Sequence, residues 1–283
     1  MTSKERKKAK QMPVPKAGTC ALLGIEGAFA KAHLIPKALT SPSVPGERFI
    51  EAGRGNRPIR RFTSWYDHQL VTRDGEKILS EIDTAGIAEL RKHKLVWSGW
   101  GNKNKLRTSD FAVDPDPGSG LGVRLIEGVD VGSIRLFFLS LLWRSLKTKI
   151  KEFSYLPNVA MDLDKIGEML KNRDSGDPHF HPIALDQIST LGFAHNHSPT
   201  LQEIEFPFDE GPMRIPFYRF YMQGLVAHVY PADSLEIFKR MSAVFVGGHE
   251  KLWVYTRRFD STRQFAEAKE AIQDTSRMWP GVF

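Results

Sequence analysis

The sequence predicts an α+β fold with two differently built halves, and three observations carry that prediction. Apolar residues recur at helical spacing in several segments between residues 75 and 175. Beyond residue 175, short aromatic and β-branched runs separated by tight turns replace them. A hydrophobic fraction of 41% in 283 residues supplies enough apolar side chain for one or two cored domains.

Residues 1–17 hold "KERKKAKQMPVPK", polar, charged and closed by prolines, and are expected to form a mobile basic arm. From residue 18 a turn and an apolar stretch lead to "HLIPKAL", where Pro36 allows a helix to start only at or near itself. "TSPSVPGERFIEAGRGNRPIRRF" is rich in Pro, Gly and Arg and reads as a loop. "GEKILSEIDTAGIAELRKHK" spaces Ile78, Ile82, Ile87 and Leu90 as one or two helices following Gly75. "DPDPGSGLG" at 114–122 is a break. "VGSIRLFFLSLLWRSLKTKIKEF" is the clearest helix, a core helix too short to span a bilayer, with Arg144, Lys147 and Lys149 placed to suit its C-terminal dipole.

"DLDKIGEMLKNR" is a further helix. "QEIEFPFDE", "MRIPFYRFYMQG", "LVAHVYP" and "KLWVYTRRF" are strands, and "ADSLEIFKRM" is a short helix. A last helix covers "DSTRQFAEAKEAIQDTSRM", capped by Asp260 or Ser261.

Net charge is uneven: +5 in residues 1–17, +7 in 18–151 and −5 in 152–283. A basic first half suits a polyanionic partner engaged through phosphates, although lysine and arginine also serve simply to solvate a surface. Cys20 is the only cysteine, which excludes an intrachain disulfide and a multi-cysteine zinc site. With no apolar run long enough for a membrane span and none fit for a signal peptide, a cytoplasmic protein without a membrane partner is expected.

Three ordered segments carry a family resemblance. "C-A-L-L-G … K-A-H-L-I-P-K-A-L" is similar to the C-x-x-C-G and S-H-I-I-P-K start of bacterial proteins related to HNH (His-Me finger) endonucleases. "SWYDHQLVTRDGEKILSEIDTAGI" resembles the family segment in which Tyr-Asp precedes a C-x-x-C-[DE] knuckle and a helix with an acidic start. "LFFLSLLWRSL" matches the Phe-rich helix ending in Trp-Arg. The resemblance covers about residues 18–147 and implies a ββα-metal-like first half with helices, followed by a half containing an antiparallel sheet. On that reading residues 18–112 form a degenerate HNH-like region, 123–175 a helical region and 176–283 an α+β region.

The resemblance also implies chemistry. A histidine at the end of a hairpin acts as general base toward water, and a divalent cation stabilises charge on the scissile phosphate. His33 is then the base, Lys37 meets a phosphate, and Asp67 and His68 are the candidate ligands of Mg or Mn. The sequence departs from the pattern at Leu23, Val71 and Asp74, which stand where knuckle cysteines belong, and at Ala32, which precedes the histidine. Cys20 alone cannot assemble a tetrahedral site, so a structural zinc is not expected, and aliphatic packing at Leu23 and Val71 would take its place.

His179 with His181, and His195 with His197, have H-x-H spacing that would place both rings on one strand face, but their surroundings read as loops. "GLGVR" and "FVGGHEK" lack the lysine and spacing of a phosphate loop. Phe217, Tyr218, Phe220 and Tyr221 alternate on a strand with Arg214 and Arg219, either as a base-stacking sheet or, with half of them inward, as core. "RKHKLVWSGWGNKNKLR" carries no acid and interleaves Trp97 and Trp100 with Lys94, Lys103, Lys105 and Arg107. With Trp65 and the loop arginines Arg48, Arg54, Arg57, Arg60 and Arg61, it is the preferred DNA or RNA surface.

The functional expectation is a divergent HNH-like nuclease hydrolysing phosphodiester bonds. Its alternative is an inactive descendant that binds nucleic acid or a protein partner. A purely structural or assembly role is the third reading.

Overall fold

The computed structural model describes residues 16–40, 49–53, 56–61, 64–117, 120–192, 195–206, 211–231 and 241–278. Most of the basic arm, the short helix expected at "ADSLEIFKRM", and Arg48 and Arg54 lie outside them. The class is α+β, as the sequence predicts.

The chain opens with β1 (Ala17–Thr19) and β2 (Glu26–Ala28), an antiparallel pair. Then come β3 (Ala32–His33), the one-turn helix α1 (Lys37–Thr40), β4 (Phe49–Gly53), β5 (Asn56–Arg61) and β6 (Tyr66–Asp67). Within the stretch expected as an arginine-rich loop, the described residues 49–53 and 56–61 are instead strands, β4 paired antiparallel with β5. Pro58 inside β5 obscured it in the sequence; β5 is the outer strand of its sheet, where a missing N–H is tolerated.

Helix α2 (Arg73–Lys92) buries Leu79, Ile82, Gly86, Ile87 and Leu90 along one face. Helix α3 (Val131–Lys147) is capped by Asp130, whose carboxylate accepts from the Ser133 backbone N–H at 3.0 Å, and is buried on all sides from Ile134 to Ser145. The two helices pack at a glycine: a Cβ on Gly86 would lie 2.5 Å from Phe137 Cβ. Helix α4 (Leu163–Asn172) packs on both and ends at Arg173 in the left-handed conformation.

Six strands form the main sheet: β7 (Gly122–Ile126), β8 (Ile183–Ile188), β10 (Thr200–Phe206), β11 (Met213–Met222), β12 (Leu225–Val229) and β13 (Leu252–Arg257). Their order is β10-β11-β12-β8-β13-β7. Every pairing is antiparallel except β8 with β13, so the sheet is mixed rather than purely antiparallel, and it takes β7 from ahead of α3. A two-residue turn joins β11 to β12, with Gln223 (φ 45°) and Gly224 (φ 78°) both left-handed, as a type I′ hairpin requires.

One sheet face, with Leu185, Tyr218, Phe220, Leu225, Ala227 and Val254, joins the same apolar core as α3. The other carries Phe217, Tyr221, Val226 and Tyr230 in two smaller clusters. All four rings of "FYRFY" are buried, not half of them, because both faces are covered. The second H-x-H pair is strand β9 (His195–His197), not a loop, and pairs parallel with β4. Helix α5 (Arg263–Met278) closes the described chain. Its start is capped by Thr262, whose hydroxyl accepts from the Phe265 N–H, in place of the expected Asp260 or Ser261.

Candidate nucleic-acid interface

His33 ends β3, which forms a two-residue antiparallel ladder with β6: Ala32 opposite Asp67 and His33 opposite Tyr66. Helix α2 follows six residues after β6, so two short strands and a helix stand together around His33. The chain leaves His33 through the buried residues Leu34, Ile35 and Pro36 and makes the single turn of α1, where the Thr40 hydroxyl donates to the Pro36 carbonyl at 3.1 Å. Around the imidazole the ring of Tyr66 lies edge-on at 6.4 Å, with His68 beyond it at 5.0 Å. Lys31 Nζ sits 3.8 Å from the Tyr66 ring centre, a cation held over an aromatic face.

Behind the histidine stands Arg144 of α3. Its Nη1 donates to the His33 carbonyl at 2.7 Å and to Asp83 Oδ2 at 3.0 Å, and Nη2 donates to Asp83 Oδ1 at 2.6 Å. Arg144 is 1% exposed, so it is a buried strut between α2, α3 and β3 rather than a complement to the helix dipole. The Trp-Arg of the apolar helix thus acts directly on the strand that carries the histidine.

Burial, then Lys31 and Arg144, hold the His33 pKa below its ordinary value, with Asp83 opposing. The half-buried imidazole is neutral at pH 7 and has an accepting nitrogen. Glu76, in the first turn of α2 and on the same face as Asp83, is pushed up to about 7 by burial; Arg144 lowers it and Asp83 raises it. Among the described residues its Oε2 is buried without a hydrogen-bond partner.

The two expected metal ligands, Asp67 and His68, stand in different settings. Asp67 is 7% exposed; its Oδ1 accepts from the Gln69 N–H at 2.7 Å and its Oδ2 from the Thr148 hydroxyl at 2.6 Å. It caps a turn and ties β6 to the end of α3. His68 is exposed and packs against Tyr66, and no group of three His, Cys, Asp or Glu close enough to hold an ion occurs among the described residues. Of the knuckle positions, Cys20 and Val71 meet, as packing. Cys20 Sγ and Val71 Cβ lie 2.7 and 3.0 Å from where a Gly75 Cβ would stand, Leu23 is half-buried on the core, and Asp74 is exposed. One thiol and one exposed carboxylate do not fit a tetrahedral zinc.

The basic candidates separate into three groups. Lys37 is exposed at the start of α1, beside His33 in the fold. Lys94 instead closes α2 with φ 54° and pairs with Asp110 at 2.6 Å, while its carbonyl accepts from Trp100 Nε1 at 2.9 Å. Its ion pair engages it at the end of α2 while its side chain stays 39% exposed. Lys103, Lys105 and Arg107 are exposed and, with Arg258 and Phe111, line an open groove of about 810 Å³. Arg57, Arg60 and Arg61 lie in β5. The tryptophans do not stack outward: Trp65 is 3% and Trp100 5% exposed, and Trp97 packs edge-on against Phe259.

Reading the sequence missed Lys31, Tyr66, Glu76, Asp83 and Arg144. The seven-residue spacing of Glu76 and Asp83 on one helix face, and a lone arginine inside an apolar helix, were the available signals. The class these features define is an α+β protein with a neutral histidine set among cations on a strand–strand–helix unit. No family model matches the chain, and it has no match among curated proteins or solved structures. Among the described residues no helix is long and apolar enough to cross a membrane.

Proposed function

We propose that this protein binds nucleic acid through the cationic surface around His33, as a descendant of the HNH-like finger that keeps the histidine but builds no metal centre from Asp67 and His68. One observation carries the reading. The His33 imidazole is neutral and half-exposed, with Lys31 and Lys37 at its rim and Arg144 behind it. Two surface lysines and an uncharged hydrogen-bonding ring offer a phosphate charge pairing and a donor or acceptor without repulsion. The excess of base in the first half supports the same partner.

Phosphodiester hydrolysis is the second reading, favoured by the lowered pKa of His33: a neutral imidazole is the form a general base needs. Both readings are tested on the full chain with plasmid and single-stranded oligonucleotides, in Mg²⁺, Mn²⁺ and EDTA. On the binding reading, affinity falls steeply with salt, Lys31→Gln with Lys37→Gln weakens it and shallows the salt slope by about two, and no strand is cut. Metal-dependent nicking that His33→Ala abolishes establishes the second reading instead. Absence of both binding and cutting sinks the two together.

A further inference from the structure

The segment that follows Trp97 and Trp100 carries a second cationic surface, built from other elements than the one around His33. Its backbone is held extended against the end of β8: Lys105 bridges Thr190, the Leu106 N–H donates to the Ser189 carbonyl at 3.0 Å, and the Leu191 N–H donates to the Asn104 carbonyl at 2.7 Å. Leu106 is 6% exposed and turns inward, so Lys105 and Arg107 on either side of it turn outward. Asp110 fixes the next turn, its Oδ2 accepting from the Arg107 N–H at 2.9 Å and its Oδ1 from Lys94 Nζ at 2.6 Å. Lys103, Lys105, Arg107 and the half-buried Phe111 thereby line the open groove of about 810 Å³.

The charges of this groove lack compensation from the chain. Among the described residues no carboxylate pairs with the side chains of Lys103, Lys105 or Arg107, whereas the nearby Lys94 and Arg258 hold Asp110 and Asp260 at 2.6 Å. Asp114 is the one carboxylate in the lining. Like charges gathered in a concavity repel one another and raise the local potential, and no internal contact offsets that cost here. Lysines that merely solvate a surface need neither a fixed extended backbone nor an aromatic wall.

We infer that this groove binds single-stranded nucleic acid. Lys105 and Arg107, two residues apart on extended backbone, have Cα atoms about 6.6 Å from each other, close to the step between successive phosphates of an extended strand. Lys103 adds a third phosphate contact, and the Phe111 ring gives a base a stacking face. A duplex carries its phosphates on the outside of a stiff cylinder and cannot follow a concave lining, whereas an unpaired strand bends into it. The inference extends the nucleic-acid reading to a second contact and does not depend on the His33 surface.

Fluorescence anisotropy of the full chain with a labelled oligothymidylate, measured across a salt series, tests this. Replacing Lys103, Lys105 and Arg107 together by Gln should weaken binding about tenfold or more and shallow the slope of log affinity against log salt by about two. Replacing Lys77, Lys165 and Lys171 by Gln, an equal loss of charge outside the groove, should leave the slope unchanged. Phe111→Leu keeps the apolar packing and removes the ring, and should cost about fivefold at an unchanged slope. Asp114→Asn should tighten binding, because it removes the one carboxylate facing the strand. A groove variant that binds like wild type overturns the inference and leaves the His33 reading standing; so does equal weakening by the two triple variants, which reduces the effect to net charge. Binding lost in the groove variant but kept in Lys31→Gln with Lys37→Gln upholds the groove and removes the other surface. Cross-links from a bromodeoxyuridine-substituted strand, mapped by mass spectrometry, should fall at Phe111 and its neighbours, and cross-links confined to the residues around His33 refute the proposal.

Discussion

Arg144 and Asp83 face each other as a two-pronged ion pair, with Nη–Oδ separations of 3.0 and 2.6 Å, and the same guanidinium holds the His33 carbonyl. Arg144 is buried against the core of three helices, so its charge depends on Asp83 for compensation. Asp83→Ala should lower stability by about 3 kcal/mol, read as a fall in the urea midpoint at unchanged slope. Arg144→Met placed on that background should restore part of the loss, since it removes the stranded charge. An Asp83→Ala protein as stable as wild type would mean that the guanidinium finds water or another partner.

Glu76 gives the stability a pH dependence of definite sign. Its folded pKa of about 7 lies above the ordinary glutamate value, so between roughly pH 4.5 and 7 the folded state holds a proton that the unfolded state has lost. Stability contributed by the neutral form is complete below that window and declines as pH rises through it. Glu76→Gln should flatten the decline and leave the protein more stable than wild type at pH 8, by on the order of 1–2 kcal/mol once partial solvent access is allowed for. Thermal melts of both proteins from pH 5 to 8 measure it, and parallel curves would refute it.

Gly86→Ala sets two effects against each other. In an open helix the change gains about 1 kcal/mol from propensity. Here the new methyl would stand 2.5 Å from Phe137 Cβ and 2.7 Å from its Cγ, in a helix–helix contact with no space to yield. Overpacking of this kind costs about 1–3 kcal/mol, so the net change should be destabilising. A stabilised variant would show that α2 and α3 can separate at no cost.

Arg135, 1% exposed, donates to the backbone carbonyls of Ser175, Asp177, Pro178 and Phe180. Arg135→Met fills similar space and removes every one of those bonds. Stability should drop by about 2–4 kcal/mol, and amides in residues 175–181 should exchange faster with solvent while those of α2 are unaffected. Unchanged exchange in that loop would deny the arginine its anchoring part.

Local order was readable where a segment determines itself. Helix α3 has an apolar run, an Asp-x-x-Ser cap and enough length to declare itself, and the strands from β10 to β13 alternate visibly. The hairpin of β4 and β5 was not readable, since Pro58 and the surrounding glycines mimic a loop and an outer strand tolerates them. Nor was β9, three residues long and made a strand only by pairing with β4 across the chain. The candidate site divides in the same way. His33 is marked by its neighbours in sequence, whereas the second donor to Asp67, Thr148, comes from the far end of α3 and leaves no local trace. Arg144 reads in the sequence as a helix-end base, since nothing local discloses that Asp83 lies across from it.

Strand β7 has consequences for synthesis as well as for shape. Among the described residues its one ladder partner is β13, and residues 127–251 must leave the ribosome before that partner exists. At about 5–20 residues per second the interval is roughly 6–25 s, during which "GVRLI" has only its bridge from Val123 to Val113 and no ladder partner. Arg124 sits at its centre. In the finished protein that guanidinium is buried, bonded to Gln187 Oε1 and to the carbonyls of His93 and Asp110. In the nascent chain the carbonyls of His93 and Asp110 already exist and Gln187 does not, and the arginine's charge discourages the strand from joining a neighbouring polypeptide. One side chain thus guards the growing chain first and locks the sheet to the end of α2 afterwards.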